Sequence, residues 1–498
     1  MLGQIMRDFL IHLDLDEEGS LQAQLRRALV SAIMDEQLGP NDPLPSCRKL
    51  AQTLGVARNT VVHAYQALVD DGFLVSRERR GYFVNGDEPG GLIPVGAAAR
   101  RGKADTVDWR ARLKATPSAH PNIVKADWRR YRYPFVYGQV DPALFPIAAW
   151  RECSRQALSA AFMTEWVSDN FDNDDALLIE QIRRRVLPRR GVQAAPDEVL
   201  VTNGAQNALY IVARLLFDGD STVGLEDPGY VDARNISLLQ TDKLLPLAND
   251  DGGLVIDRRL KQCDLIYVTP SHQSPTTVTM SLERRMALLE AAARDDFLII
   301  EDDYDSETNY DDNPIPALKL LDRENRVLYV GSLSKTMAPG LRLGFLVGPA
   351  ELIAEARVLR RLMLRHPPAN NQRTIALFIA EGHHDSFVRK LHKVYRRRWR
   401  AMETALQTWL PDIARSNTYG GTSFWIEGPS WLDSEHLAEA ARERGVLIEP
   451  GAVHFLRAPR PKNFFRLGFG TIDEDRIPAG IEILAELVNQ QAPKALAG

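Results

Sequence analysis

Apolar residues recur every four positions at Leu21, Leu25, Leu29 and Ile33, which lays one apolar face along a helix capped by Ser20 and ended by Gly39-Pro40. A second short helix is predicted after Ser46, a good N-cap, with Leu50 and Leu54 inward and Gly55 as its stop. A third starts near Ala57, buries Val61, Tyr65, Leu68 and Val69, and closes at Gly72. Two short helices about a tight glycine turn form a helix-turn-helix. Phe73 to Val75 and Tyr82 to Val84 then read as two strands around a basic turn, Ser76 to Gly81. From Asp87 to about Arg130 no apolar period persists, because Gly90-Gly91, Pro94, Pro117 and Pro121 interrupt it. From Tyr131 the rhythm changes. Near-continuous apolar runs at 198–202, 221–226, 264–269, 297–301, 326–330 and 343–347 alternate with helical segments. That alternation predicts an α/β fold with a mainly parallel sheet covered by helices on both faces. The chain therefore divides into a small helical reader over residues 1–86, a linker over 87–130 and a large domain over 131–498.

Composition changes this picture little. With 498 residues, 45% hydrophobic and 26% charged, the chain has material for more than one globular core. Cys47, Cys153 and Cys263 show no metal-ligand spacing, so a reduced, cytoplasmic protein without disulfides or zinc is expected. No uninterrupted apolar run of about 18 residues exists, and the start does not read as a signal peptide, so no membrane association is expected. A net charge of −5 argues against nucleic acid until it is read by segment. Residues 46–86 carry six Lys/Arg against three Asp/Glu, a net of +3, and residues 100–130 carry nine against three, a net of +6. Positive charge is thus concentrated where phosphates would lie.

The third helix would present Arg58, Asn59, Thr60 and His63 early, where a recognition helix meets base edges. Ser46 and Arg48 at the preceding helix, with Arg77, Arg79 and Arg80 in the wing, complete the expected DNA-binding set. The stretch LPSCRKLAQTLGVARNTVVHAYQALVDDGFL resembles the winged helix-turn-helix of the GntR regulators, whose LPS-x-R-x-LA, LGV-x-RNTV and AY-x-x-L elements it fills. The wing, SRERRGYFV, departs from that family's pattern at Arg80 and Tyr82.

The large domain gathers polar residues at strand ends, where chemistry collects in such sheets. In RVLYVGSLSKTMAPGLRLG, Lys335 follows a buried strand, with Ser332, Ser334 and Arg342 nearby. A desolvated lysine is a Schiff-base nucleophile, and hydroxyls with an arginine fork suit a phosphate. Gly204, Ala205 and Gln206 open a helix whose exposed amides form a phosphate cup. Tyr230 offers a flat face for an aromatic ring, Asp302 a partly buried carboxylate that needs a cation, and Tyr304 a phenol. Each alone has a plain structural reading.

Together they resemble the fold-type-I aminotransferases that carry pyridoxal 5′-phosphate (PLP), over roughly residues 131–490. The resemblance implies that Lys335 forms the internal aldimine, Asp302 holds the ring nitrogen and Tyr304 the ring hydroxyl. It gives the phosphate to Ser332, Ser334, Arg342 and the Gly204 cup, and a ligand carboxylate or sulfonate to Arg466. Two places depart from the family: its N-P-T-G turn reads Ser274 to Thr277, and FDNDDALLIEQI has Phe171 and Ile179 where a tyrosine and an arginine are usual. A last feature, RKLHKVYRRRWR at Arg389 to Arg400, reads as a solvated helix face or a second surface for DNA.

A GntR-like reader joined to an aminotransferase-like domain resembles the MocR/GabR regulators. That resemblance implies a PLP-dependent transcription factor, often an activator and often self-repressing, bound to double-stranded promoter repeats as a head-to-tail homodimer. It would sense a small amino compound such as GABA, taurine or another amino acid through external aldimine formation. The alternatives are an active aminotransferase with a regulatory N-terminal domain, and a PLP-binding sensor that reports through protein partners.

Overall fold

The computed structural model describes residues 20–35, 37–86, 107–123, 127–308, 315–415 and 420–493; most of the expected linker lies outside them. The chain splits into two compact units, Met1–Ala111 and Arg112–Gly498.

In the first unit, α1 (Leu21–Met34), α2 (Cys47–Leu54) and α3 (Arg58–Asp70) pack around Leu25, Leu29, Val61, Tyr65 and Leu68. Those side chains are essentially withdrawn from water, and each such leucine contributes about 2 kcal/mol of transfer free energy. Local chemistry sets the boundaries. The Ser20 and Ser46 hydroxyls accept from the backbone N–H groups of Ala23 and Lys49. Gly55 ends α2 at φ 69°, a conformation that suits glycine. Tyr65 donates its hydroxyl to the Pro45 carbonyl and so ties α3 to the chain before α2. Val69 is only half-buried, because the inner stripe of α3 runs through Ala64 and Leu68 instead. The wing is the antiparallel pair β1 (Leu74–Arg77) and β2 (Gly81–Val84).

The second unit is built on an eight-stranded sheet. Its strands are β3 (Val199–Thr202), β4 (Val223–Asp227), β5 (Leu244–Asp250), β6 (Gly253–Leu254), β7 (Leu265–Val268), β8 (Leu298–Asp303), β9 (Val327–Ser332) and β10 (Gly344–Val347). The order across the sheet is β3-β10-β9-β8-β7-β4-β5-β6, with β5, β4, β7, β8 and β9 parallel and β10 antiparallel to both neighbours. All six expected strands form. The edge pair β5 and β6 was not legible, since β5 is mostly half-exposed and interrupted by Pro246, as edge strands tolerate.

Register places the chemistry. β8 and β9 lie side by side with Val330 opposite Asp302, so the Asp302 strand end and the Ser332 turn leave the sheet together. Thr202 of β3 pairs with Gly344 of β10, which sets Gly204 beside the Arg342 loop. A second sheet, β11 (Ala414–Arg415), β12 (Ser423–Glu427), β13 (Glu449–Pro450) and β14 (Phe464–Gly468), runs in the order β11-β12-β14-β13 and pairs Glu449 with Arg466 across strands.

The basic run lies in one long helix, His383–Trp409. Its face is not uniformly solvated. Arg398 is buried, donating to the Gly470 carbonyl at 2.6 Å and to Asp141 at 2.7 Å, which makes it a packing residue. Among the described residues, no helix is long and apolar enough to cross a membrane.

Candidate functional site

A cavity of about 360 Å³ opens at the carboxyl ends of β8 and β9 and is lined by Gly204, Tyr230, Asp302, Tyr304, Lys335 and Arg466, among others. Ala205, Gln206, Ser332, Ser334 and Arg342 line it too, so every expected cofactor and ligand residue reaches one chamber.

The turn that carries Lys335 is a five-residue helix, Leu333–Met337, N-capped by the Ser332 hydroxyl, which accepts from the Lys335 N–H at 3.2 Å. The Lys335 Nζ stands 3.9 Å from the ring centre of Tyr137 and 5.3 Å from that of Tyr304. Gly138 takes φ 73°, and a Cβ there would come within 3.3 Å of the same amine. The Ser334 hydroxyl donates to the Leu343 carbonyl at 3.0 Å and accepts from the Leu343 N–H at 2.7 Å. Its one proton therefore closes the turn, and Ser332 rather than Ser334 has a donor to offer a phosphate.

At the other wall, Gly204 holds φ 84° at the start of the helix Ala205–Leu216. A Cβ there would sit 2.9 Å from an Nη atom of Arg342, so glycine is what lets the guanidinium approach the amide cup. Gln206 accepts from Arg342 at 3.5 Å and donates to Asp232, which also accepts the Tyr230 hydroxyl at 3.1 Å. The Tyr230 ring stacks at 26° to Tyr267, with centres 6.5 Å apart.

Asp302 is the telling group. It is 3% exposed; Oδ2 accepts from the Tyr267 hydroxyl at 2.8 Å, while Oδ1 is buried with no hydrogen-bond partner. Burial is the main cause that pushes its carboxyl up to about 7, with Lys335 and the tyrosine opposing. A buried carboxylate oxygen without a donor lacks a partner, and a cationic N–H would supply both charge and hydrogen bond. Tyr304 also lines the chamber and donates its hydroxyl to the His272 carbonyl at 2.8 Å. The donor set, the orphaned Oδ1 and the glycine cradle fit pyridoxal 5′-phosphate.

Arg466 does not stand alone. Its Nε donates to Glu449 at 2.8 Å, and its guanidinium lies 4.0 Å over the Tyr137 ring. His454 is buried at the same chamber, held down to about 3 chiefly by burial, and donates Nδ1–H to the Gly229 carbonyl. Tyr137, Glu449, Asp232 and His454 were not singled out from the sequence. Only the EPG that begins at Glu449 and the YGQ that begins at Tyr137 mark the places of two of them, and neither specifies a partner.

Phe171 lies away from the chamber with Arg361 3.7 Å over its ring, and Ile179 packs against the core. Elsewhere, Cys153, Glu381 and His383 bring donor atoms within 4.8 Å of one another, a grouping that sequence spacing hides.

In the first unit Ser46, Arg48, Arg58, Asn59 and His63 are exposed, and Thr60 is half-buried at the start of α3. Arg79 and Arg80 are exposed at the wing tip. Arg77 is tied back, donating to Asn41 and lying 4.6 Å over the Phe83 ring.

Residues 146–484 match the family of class I and II aminotransferases, and residues 21–84 match the bacterial regulatory proteins of the gntR family. The chain is 43% identical over 477 residues to the HTH-type transcriptional regulator TauR of Rhodobacter capsulatus, covering 94% of this chain and 96% of that one. It is 32% identical to the probable rhizopine catabolism regulatory protein MocR of Rhizobium meliloti, covering 95% and 94%. Among solved structures, it is similar to the kynurenine aminotransferase of Pyrococcus horikoshii, seen with PMP, at a TM-score of 0.70 and 25% identity, covering 77% of this chain and 98% of that one. It is similar also to the α-aminoadipate aminotransferase LysN of Thermus thermophilus, in complex with N-(5′-phosphopyridoxyl)-L-leucine, at 0.69 and 28%, covering 77% and 99%.

Proposed function

The chain belongs to the MocR-type branch of the GntR transcriptional regulators, a DNA reader fused to a PLP-dependent aminotransferase-type domain, and from that we propose that Lys335 and its chamber serve to sense a small amino compound. The observation that carries the site assignment is the buried, unpartnered Oδ1 of Asp302 in one chamber with Lys335.

In this reading Asp302 accepts from the protonated ring nitrogen, Tyr230 covers the ring, and Tyr304 orients its hydroxyl. Ser332, Arg342 and the amides of Gly204, Ala205 and Gln206 take the phosphate, with Ser334 holding the turn in place. When bound, PLP supplies an aldehyde that condenses reversibly with primary amines, so an effector amine competes with Lys335 for it. Arg466 receives an acidic group at the effector's far end. Were Lys335 freed from the aldehyde, its amine would stand beside the Tyr137 and Tyr304 rings, and a site with different contacts and charge would favour a different arrangement of the chain. The coupling needs only differential affinity between two arrangements.

The reader's part falls to Arg58, Asn59, Thr60 and His63 at base edges, with Ser46, Arg48, Arg79 and Arg80 on phosphates and Arg77 bracing the wing. We place the working form as a head-to-tail homodimer on promoter repeats, acting mostly as an activator, with GABA, taurine or another amino acid as effector. The test is to load the full chain with PLP, follow visible absorbance as amines are added, and measure operator binding at the same concentrations. Amines that shift both support the reading. Steady keto-acid formation at ordinary turnover rates with no operator-sized DNA shift would instead favour an active aminotransferase.

A further inference from the structure

Arg466 is not an open fork for an acid. It sits opposite Glu449 in the β13–β14 register, with Nε donating to Glu449 Oε2 at 2.8 Å. Both side chains are largely withdrawn from water, at 4% and 14% exposure. Tyr137 covers the guanidinium face at 4.0 Å, and its N–H lies 3.4 Å from the second Glu449 oxygen. The far end of the chamber is therefore a neutral ion pair rather than a lone cation. A simple amino acid whose amine has reacted brings one anion to this pair and leaves two carboxylates on one guanidinium, a like-charge arrangement that low exposure makes costly. A plain diamine leaves an extra cation. An effector with an acid and a second ammonium balances both.

Resting on the amine-sensing reading above, we propose that Glu449 selects effectors that carry a second amino group beside the acid, the diamino monocarboxylic acids. The acid takes the outer edge of Arg466 and the second ammonium takes Glu449. Room exists for it: Glu449 and Tyr137 also line an adjoining cavity of about 300 Å³, rimmed by Glu435, Glu439 and Arg442. If Glu449 merely positions Arg466, its loss weakens every acid alike. If it selects, its loss changes the ranking.

The experiment uses the full chain loaded with PLP and reads visible absorbance and calorimetric heat as ligand is added. The ligands are diamino acids of three to five carbons, from 2,3-diaminopropionate to ornithine, each beside the α-amino and ω-amino acids of equal length, with taurine included. The best diamino acid is expected to bind at least tenfold more tightly than its mono-amino counterparts, and Glu449→Gln to reduce that ratio to threefold or less. A mono-amino acid or taurine that matches the best diamino acid in the wild type overturns the inference, as does a ranking that Glu449→Gln leaves intact. Should the variant fail to take PLP, the wild-type ratio decides alone. If no amine of any class moves either signal, the amine-sensing reading fails and takes this inference with it.

Discussion

Replacing Asp302 with Asn should move the apo protein and the cofactor complex in opposite directions. The carboxyl is 3% exposed, with one oxygen lacking any donor, and burial lifts it from 3.8 to about 7. A carboxyl raised in the fold holds its proton more tightly there than when unfolded. Stability is therefore lost as pH climbs through the interval between those two values. At 1.36 kcal/mol per tenfold change in proton affinity, the ionised group costs the apo fold about 4 kcal/mol above pH 8 and about 2 kcal/mol near pH 5.5. Asp302→Asn removes that cost, so the apo variant should gain roughly 2 kcal/mol on wild type between those pH values, read by urea unfolding. PLP binding should fall meanwhile, because a buried charge-assisted bond of about 1.5–3 kcal/mol is lost, roughly 10- to 150-fold in Kd by absorbance titration. An apo advantage that does not grow with pH, or PLP affinity within threefold of wild type, would refute the reasoning.

Lys335→Ala should abolish the absorbance response to amines while operator affinity stays within about twofold of wild type, as gel shift and spectral titration would show. Gly204→Ala puts a methyl 2.9 Å from the Arg342 guanidinium at φ 84°, so it should lower stability by about 1 kcal/mol or more and weaken PLP binding, checked by unfolding and titration. In the reader, Arg58→Ala should cost about 1–3 kcal/mol of specific DNA affinity, and Arg79→Ala should flatten the salt slope by about one charge, both measurable by anisotropy across ionic strength. Arg398→Met should lower the unfolding stability of the large unit by about 1–3 kcal/mol, since it removes the buried guanidinium's bonds to the Gly470 carbonyl and to the half-buried Asp141. A loss of DNA affinity with unfolding unchanged would restore the surface role for that arginine.

Much of the architecture was legible because local signals agreed. Serine caps fixed the starts of α1 and α2 and Gly55 the end of α2, while α1 stops at Met34, short of the expected Gly39-Pro40; continuous apolar runs marked the six buried strands. Strand β5, next to the sheet's edge, escaped because half-exposure and Pro246 erase the run that marks a buried strand. The arginines of the basic run could not be sorted by charge alone, since only the packing of the long helix on Gly470 and Asp141 separates buried Arg398 from exposed Arg397 and Arg400. Ser334 was legible as a hydroxyl near the lysine, but not as the clasp of its turn, which needs Leu343 nine residues later.

The effector end of the chamber shows why its most informative residues were hidden. Arg466 was recognisable from its own strand, yet its meaning depends on Tyr137 and Glu449, 329 and 17 positions earlier in the chain. What joins them is a close approach of backbones. Gly468 donates its N–H to the Phe135 carbonyl at 3.1 Å, and a Cβ on it would collide with the Val136 carbonyl oxygen at 2.2 Å. Only glycine admits that segment, and the segment delivers Tyr137 over the guanidinium and beside Lys335. One aromatic ring thus touches both the Lys335 amine and the Arg466 guanidinium, the two groups proposed to meet the effector's amine and its acid. In the proposed sensing role, that shared ring is a contact through which a change at one end of the chamber would reach the other.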